Sequence, residues 1–491
     1  MISIGLISFL NNSINTRSLS SYLKKNGYEV ICFFCSGSFN KNNLKELVGL
    51  IKANNISLVG ISLVTDDYHS AITVTKAIKE NLRLPVIWGG AHVNVMPDEC
   101  LRYADMICVG EGEEALLELV KNYAADKTDL TIKNIWFKNG ERIVRNELRE
   151  LEENLDKYPF PDFDLKSQLV MTENGFENLT EKHFNGEYST MSSRGCPYSC
   201  HYCYNSYRRD QYKSKGKYLR VRSVENVIEE LVLAKNKFSH LTRINFWDDS
   251  FIARRREDFI LFQKLYKEKI NLPFFALIEP MAFDFEKVKL LRDSGLAALQ
   301  LGVQTGSERI NRDVYNRRVS NQRVIEIARQ IRELGIEVIY DVIFNNPYEE
   351  PRDVAESVNL FLQFPWPVSL QGFNLIFYPG TQITERALQD GYIATKDETE
   401  SYSTIEGAEN SPTSMKGKSV ISDRFYNIQY TSEKKEYWNK VLSLFAFLHV
   451  PRGLMCFFGK SETPLKKILL SLFVQAYSLA HILKGIVKKH G

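Results

Sequence analysis

Three cysteines fall within eight residues of the stretch Ser192-Ser193-Arg194-Gly195-Cys196-Pro197-Tyr198-Ser199-Cys200-His201-Tyr202-Cys203-Tyr204-Asn205, spaced C-x-x-x-C-x-x-C. Thiolates this close can face one soft metal centre. A complete 4Fe–4S cluster takes four cysteines, so Cys196, Cys200 and Cys203 would leave one iron open. Catalytic zinc sites keep a position free for substrate in the same way, and an open iron can bind a small molecule that it must reduce. Zinc is the competing occupant, with His201 as the fourth ligand, although zinc ribbons and fingers usually present two separated ligand pairs. Cys32, Cys35, Cys100, Cys108 and Cys456 lack such spacing, and Cys108, in an apolar strand, reads as a small buried hydrophobe.

The elements that must position this loop form two sets. Downstream, strands are expected at 242–247, 273–278, 298–303, 337–344 and 370–377, and helices at 284–294 and 321–334 are stopped by Gly295 and Gly335. The strands end in Asp248-Asp249, Glu279-Pro280, Gln304-Thr305-Gly306-Ser307, Asn345-Asn346 and Tyr378-Pro379. Polar residues gathered at strand C-termini mark the chemical face of a β/α barrel, here a partial (β/α)6 barrel over 188–395. Upstream, residues 1–125 alternate strands at 2–8, 28–34, 57–63, 85–88 and 106–109 with helical patterns. That order predicts a doubly wound parallel sheet, which binds ligands beyond its strand carboxyl ends. The tips there are Ser62-Leu63-Val64-Thr65, Gly89-Gly90-Ala91-His92 and Gly110-Glu111-Gly112-Glu113, and small residues let a large flat ligand approach the backbone. Residues 126–187 read as a linker containing a hairpin at Asn139-Gly140.

The length of 491 residues fits about three domains. With 44% hydrophobic and 25% charged residues, the chain is neither disordered nor a small disulfide scaffold. A net charge of +3 gives no argument for nucleic-acid binding. Residues 416–491, however, carry 13 Lys/Arg against 4 Asp/Glu, a local +9 that leaves −6 for the rest. This region, 396–491, is expected to be helical and basic, with apolar helices at 437–449 and 465–488. Lysines flanking the second suit either an interfacial membrane helix or a cap packed on the barrel. The N-terminus has no basic region before its apolar run and no small-residue cleavage site, so a cytoplasmic location and reduced cysteines are expected.

The cysteine motif, with aromatic Tyr202 before the third cysteine, resembles radical S-adenosylmethionine (SAM) enzymes. The resemblance implies a 4Fe–4S cluster whose open iron is chelated by SAM, an electron donor such as flavodoxin or ferredoxin, and a 5′-deoxyadenosyl radical. Gly302-Val303-Gln304-Thr305-Gly306-Ser307 is similar to the family segment whose Gln approaches SAM. Arg317, with Arg318 one register away, resembles an Arg that pairs with the SAM carboxylate, a task suited to a guanidinium fork. Asp341 resembles a ribose-contacting Asp, and Asp248-Asp249 occupies the second-strand tip, where other members have GGE.

Residues 1–125 resemble the cobalamin-binding Rossmann-like domain, with Ser62, Thr65, Gly89 and Gly90 at positions that line the nucleotide tail. Many such domains carry D-x-H-x-x-G after the first strand. Here the loop is Phe9-Leu10-Asn11-Asn12-Ser13-Ile14-Asn15, which implies cobalt without a histidine beneath it, or with His92 as a substitute. Together the resemblances imply a cobalamin-dependent radical SAM enzyme of α/β fold acting on a small molecule or lipid, not on nucleic acid. Methylation of an unactivated carbon through methylcobalamin is the expected reaction. A cyclase or rearrangement enzyme of the same architecture, or a non-catalytic iron–sulfur or cobalamin-binding protein, are the alternatives.

Overall fold

A computed structural model describes residues 2–11, 13–395, 419–420, 425–427, 433–446 and 450–474. The N-terminal part builds β1 (Ser3–Ser8), β2 (Glu29–Phe34), β3 (Ile56–Ser62), β4 (Val86–Gly89) and β5 (Met106–Cys108). Between them run α1 (Ile14–Lys25), α2 (Lys41–Ala53), α3 (Tyr68–Leu82), α4 (Ala91–Val95) and α5 (Pro97–Cys100), and α6 (Glu113–Ala124) follows. Helix starts are set locally. The Ser13 side chain accepts from the Thr16 amide, and Asn40 and Asn43 cap α2 reciprocally. The five strands are parallel in the order β5-β4-β3-β1-β2. All six residues of β1 are buried, as expected for a strand covered on both faces.

The segment expected as a linker is instead part of this sheet. β6 (Ile135–Asn139) pairs antiparallel with β5, and β7 (Arg142–Val144) completes the Asn139-Gly140 hairpin. At the other edge β8 (Gln168–Thr172) pairs parallel with β2, and β9 (Gly175–Asn178) pairs with β8, giving nine strands. Edge strands such as Gly175-Phe176-Glu177-Asn178 bury little, so no apolar alternation announces them.

The second sheet has six parallel strands in sequential order: β10 (Glu187–Thr190), then, past the short antiparallel pair β11 (Ser193–Arg194) and β12 (Arg220–Val221), β13 (Arg243–Phe246), β14 (Phe274–Ile278), β15 (Leu296–Gln304), β16 (Glu337–Phe344) and β17 (Ser369–Asn374). Its helices are α7 (Tyr204–Gln211), α8 (Val224–Lys237), α9 (Arg256–Lys269), α10 (Phe285–Ser294), α11 (Glu308–Asp313), α12 (Asn321–Glu333), α13 (Pro351–Leu362) and α14 (Gln382–Gln389). Side-chain alternation divides the sheet. Ile244, Phe246, Ala276, Leu299, Leu301, Tyr340 and Val342 belong to the main apolar core. Burying each large apolar side chain there contributes about 1.5–3 kcal/mol. The opposite face carries Trp247 against Phe275, and Gln300 bonded to Asp341.

The basic C-terminal region docks on the flank of this barrel. α15 (Glu433–Ser443) and α16 (Arg452–Gly459) pack on α13, and the turn Leu444–Ala446 lies against the edge strand β17. Lys435 reaches the loop after β16 and donates to the Asn346 carbonyl at 2.6 Å. The helix expected at 437–449 thus starts four residues earlier and stops six earlier, and α16 was not anticipated. A last helix, α17, spans 464–474; the remainder of the helix expected at 465–488 lies outside the described residues. No helix among the described residues is long and apolar enough to cross a membrane.

Candidate active site

The cysteine loop runs from β11 into α7 at the C-terminal end of the barrel strands. Cys196 and Cys200 are buried and Cys203 is half-buried. Burial pushes the Cys196 thiol well up and the Cys203 thiol to about 11, and the neighbouring sulfurs add to both shifts. Binding a metal group must therefore expel protons from this loop. His201, the fourth ligand in the zinc alternative, aims Nδ1 at the Val314 carbonyl, 3.2 Å away. No three His, Cys, Asp or Glu side chains among the described residues converge on one ion. A 4Fe–4S cluster asks for something different, each thiolate on its own iron.

Arg317 is buried behind the loop. One Nη lies 3.9 Å from Cys200 Sγ and donates to the Tyr202 hydroxyl at 3.0 Å, and the other donates to the Gly302 carbonyl. Its Nε, also buried, meets no acceptor among the described residues. Arg318 is exposed, so of the two arginines only Arg317 is buried against the cysteine loop. Gln304 has a left-handed backbone (φ 71°), and its side-chain nitrogen lies 2.8 Å from where a Cβ on Gly302 would stand. Gly302 thus leaves room for that amide.

Asp341 accepts from the Gln300 amide on both oxygens, at 2.7 and 2.8 Å, and burial pushes its carboxyl up to about 6. Its folded value lies above the ordinary 3.8. This group therefore favours the folded state fully below about pH 4, and the contribution fades as pH rises through 6. If Asp341 takes the ribose hydroxyls of SAM, as its resemblance implies, the ionised form is the one that accepts from both; SAM affinity should then rise with pH through about 6, and Asp341→Asn should flatten that dependence in equilibrium dialysis.

The two aspartates at the second-strand tip divide the work. Asp248 does not face the cavity. It accepts from the Ser192 amide and the hydroxyls of Ser192 and Ser193, so it ties down the approach to Cys196. Asp249 lines the cavity described below, with burial raising its carboxyl. Ser307 is likewise occupied internally, capping α11 and donating to Asp353 at 2.6 Å. Glu279, a strand-tip residue outside the expected set, is near-buried and pushed up to about 7 by that burial. Ser250 donates to it at 3.2 Å, and Arg317 and Asp249 are near enough to affect its charge.

Between the cysteine loop and the first sheet lies a cavity of about 350 Å³, within the range of ordinary ligand pockets. Ser62, Gly89 and Gly90 line it from the sheet; Asp249, Asn205 and Tyr204 line it from the barrel. Thr65 is not among its walls; its hydroxyl lies 3.3 Å from the ring of buried His92, which packs on Tyr68. His92 does not line the cavity either, so it is not placed as a substitute lower ligand.

A polar clamp fixes the two sheets around this space. Glu111 pairs with Arg194 (3.2 Å) and Arg220 (2.5 Å), and Glu113 with Arg194 (2.5 Å). Burial pushes Glu111 up, but the two guanidiniums outweigh it and hold the carboxyl below its usual range. Asn94 accepts from the Gly110 amide and from Arg208, and donates to Tyr204. Because Tyr204 follows Cys203 directly, this clamp sets the cluster loop against the sheet tips. The tip Gly110–Glu113 was the signal for half of it; its arginine partners had none.

The adjoining glycines separate fold from cavity. A Cβ on Gly90 (φ +107°) would stand 2.4 Å from the Leu63 carbonyl oxygen, whereas one on Gly89 meets only Cys108, at 3.8 Å. Gly90→Ala should cost about 1–3 kcal/mol in a urea unfolding curve. Gly89→Ala should leave stability nearly unchanged and weaken cobalamin binding, measured by retained absorbance after gel filtration.

The chain is a radical SAM protein with a B12-binding domain: the radical SAM superfamily model matches residues 190–361 and the B12 binding domain model residues 7–120. An uncharacterized methyltransferase of Pyrococcus horikoshii is 25% identical over 366 residues, 74% of this chain and 75% of its own. The anaerobic magnesium-protoporphyrin IX monomethyl ester cyclase of Cereibacter sphaeroides is 24% identical over 71% of this chain, a match spanning 58% of the cyclase. The fold is shared with the radical SAM methyltransferase TsrM of Kitasatospora setae, solved with cobalamin and a [4Fe-4S] cluster bound, at a TM-score of 0.64, 16% identity and 82% of each chain. The cofactors of this architecture are a 4Fe–4S cluster, SAM and cobalamin. The three-cysteine loop, the unpartnered Arg317 Nε and the small-residue sheet tips fit them.

Proposed function

We propose that this protein is a cobalamin-dependent radical SAM methyltransferase acting on an unactivated carbon of a small molecule. The observation that carries this reading is the shared wall: Asp249, Tyr204 and Asn205 line the cavity at the sheet tips while flanking the cysteine loop. Two reaction centres thus meet across one interface. When bound, the cluster and SAM supply a hydrogen-abstracting radical and the cobalamin a transferable methyl group. The residues do the rest. Arg317 holds the SAM carboxylate, Asp341 accepts from its ribose, and Gln304 lies over Gly302 beside them. Asp248 and the Glu111–Arg194–Arg220 clamp keep the loop and the sheet tips in register.

An electron donor of flavodoxin or ferredoxin type, working in a reducing cytoplasm, completes the proposal. The test is anaerobic reconstitution followed by product analysis under reductant. A methyltransferase releases 5′-deoxyadenosine and S-adenosylhomocysteine. The likeness to a cyclase favours a second reading, radical cyclisation, which yields deoxyadenosine without S-adenosylhomocysteine. A non-catalytic binding protein would cleave no SAM.

A further inference from the structure

We propose that the outward face of α17 docks this protein on an anionic membrane surface. α17 presents apolar side chains on two sides. On one, Leu470 is fully buried and Phe473 lies against Phe458 of α16, their ring centroids 6.4 Å apart. On the other, Leu465, Ile468, Leu469 and Leu472 are 65%, 60%, 40% and 58% exposed, and Phe457 of α16 is 45% exposed. The spacing i, i+3, i+4, i+7 makes a single stripe. Nothing among the described residues covers it. A helix pinned by one apolar face and bearing a second is built to meet another apolar phase.

The charges select the occupant. From residue 463 to 491 the sequence has five lysines (Lys466, Lys467, Lys484, Lys488 and Lys489) and no Asp or Glu. Lys466 bends its ammonium back over the ring of Phe457 and bonds the Phe457 carbonyl at 2.6 Å. Its alkyl stem thereby joins the rim of the patch while its charge stays at the edge. Lys467 pairs with Glu462, the last acid of the chain. An apolar stripe bordered by Lys466 and Lys467, in a segment whose sequence adds three further lysines and no acid, matches the interior and headgroups of an anionic leaflet. Neither signal alone anchors a protein firmly; the two together do.

The proposal stands apart from the reaction assigned above, and its test reads no activity. Full-length reconstituted protein is co-sedimented with vesicles of phosphatidylcholine alone or mixed with phosphatidylglycerol, at low and high salt. Ile468→Ser with Leu472→Ser alters only exposed side chains, and circular dichroism checks that the variant stays folded. The expected result is sedimentation with the mixed vesicles, weakened by salt and reduced roughly tenfold or more in the variant. Failure to bind either vesicle overturns the proposal, as does equal binding by the variant. A dimer in light scattering that the variant dissolves would also overturn it, assigning the stripe to a second copy of this chain.

Discussion

Cys200→Ala should lose the cluster outright: iron per chain falls to background, the broad visible absorbance disappears, and no SAM cleavage remains. Two thiolates cannot hold a cubane that already spends one iron on its ligand. The loop offers no replacement, since the ring of His201 points at the Val314 carbonyl. Cys196→Ala and Cys203→Ala should behave alike. The contrast lies in the first sheet. Cys32, Cys35 and Cys108 are buried among apolar neighbours, and burial pushes all three thiols up, to about 12 for Cys32 and Cys108. They are protonated packing groups, so substituting them should leave iron content intact. Full iron loading in Cys200→Ala, measured beside Cys108→Ala, would remove the cluster from this loop. Because thiolates form only as the metal arrives, iron uptake should also slow as pH falls.

What the sequence revealed follows from what generates a local signal. The five parallel strands of the first domain are buried on both faces and read as apolar runs; the barrel strands from β13 on each end in a polar tip, whereas the first, β10, is followed by the cysteine loop rather than a helix and is absent from the expected set. Both arrangements were legible. β9 was not, because a short edge strand such as Gly175-Phe176-Glu177-Asn178 buries too little to alternate; β8 lies inside the sheet, but its buried residues Gln168, Val170 and Met171 begin with a polar one and follow no period of two. In the site, spacing located the cysteines, but spacing says nothing about which way a side chain turns. Asp248 and Asp249 are neighbours in sequence, yet where the chain leaves β13 and turns, one meets the serines before the cluster loop and the other the cavity. Ser307 stands in a recognisable segment yet caps a helix. The arginines of the clamp come from β11 and β12, two-residue strands with no periodicity to read. Their pairing with Glu111 exists only once the two sheets meet.

Arg317→Lys is the sharper test of how SAM is held, because it keeps the charge and removes the fork. In the structure the guanidinium spends one Nη on the Tyr202 hydroxyl and Cys200 and the other on the Gly302 carbonyl, while Nε is buried with no acceptor among the described residues. A lysine ammonium can follow one of these directions, not all three. Hydrogen bonds to charged groups contribute about 1.5–3 kcal/mol, so losing the aligned donor should weaken SAM binding by about 10- to 150-fold. Arg317→Met should lose more, since it also removes the cation that offsets the charge of near-buried Glu279. Iron content separates the two roles of this side chain. If Arg317 chiefly supports the loop through Cys200 and Tyr202, both variants lose iron together with SAM affinity. If its first duty is the ligand, Arg317→Lys keeps its iron and its cluster absorbance while the SAM dissociation constant rises. Nε, buried and without an acceptor among the described residues, argues for the second outcome.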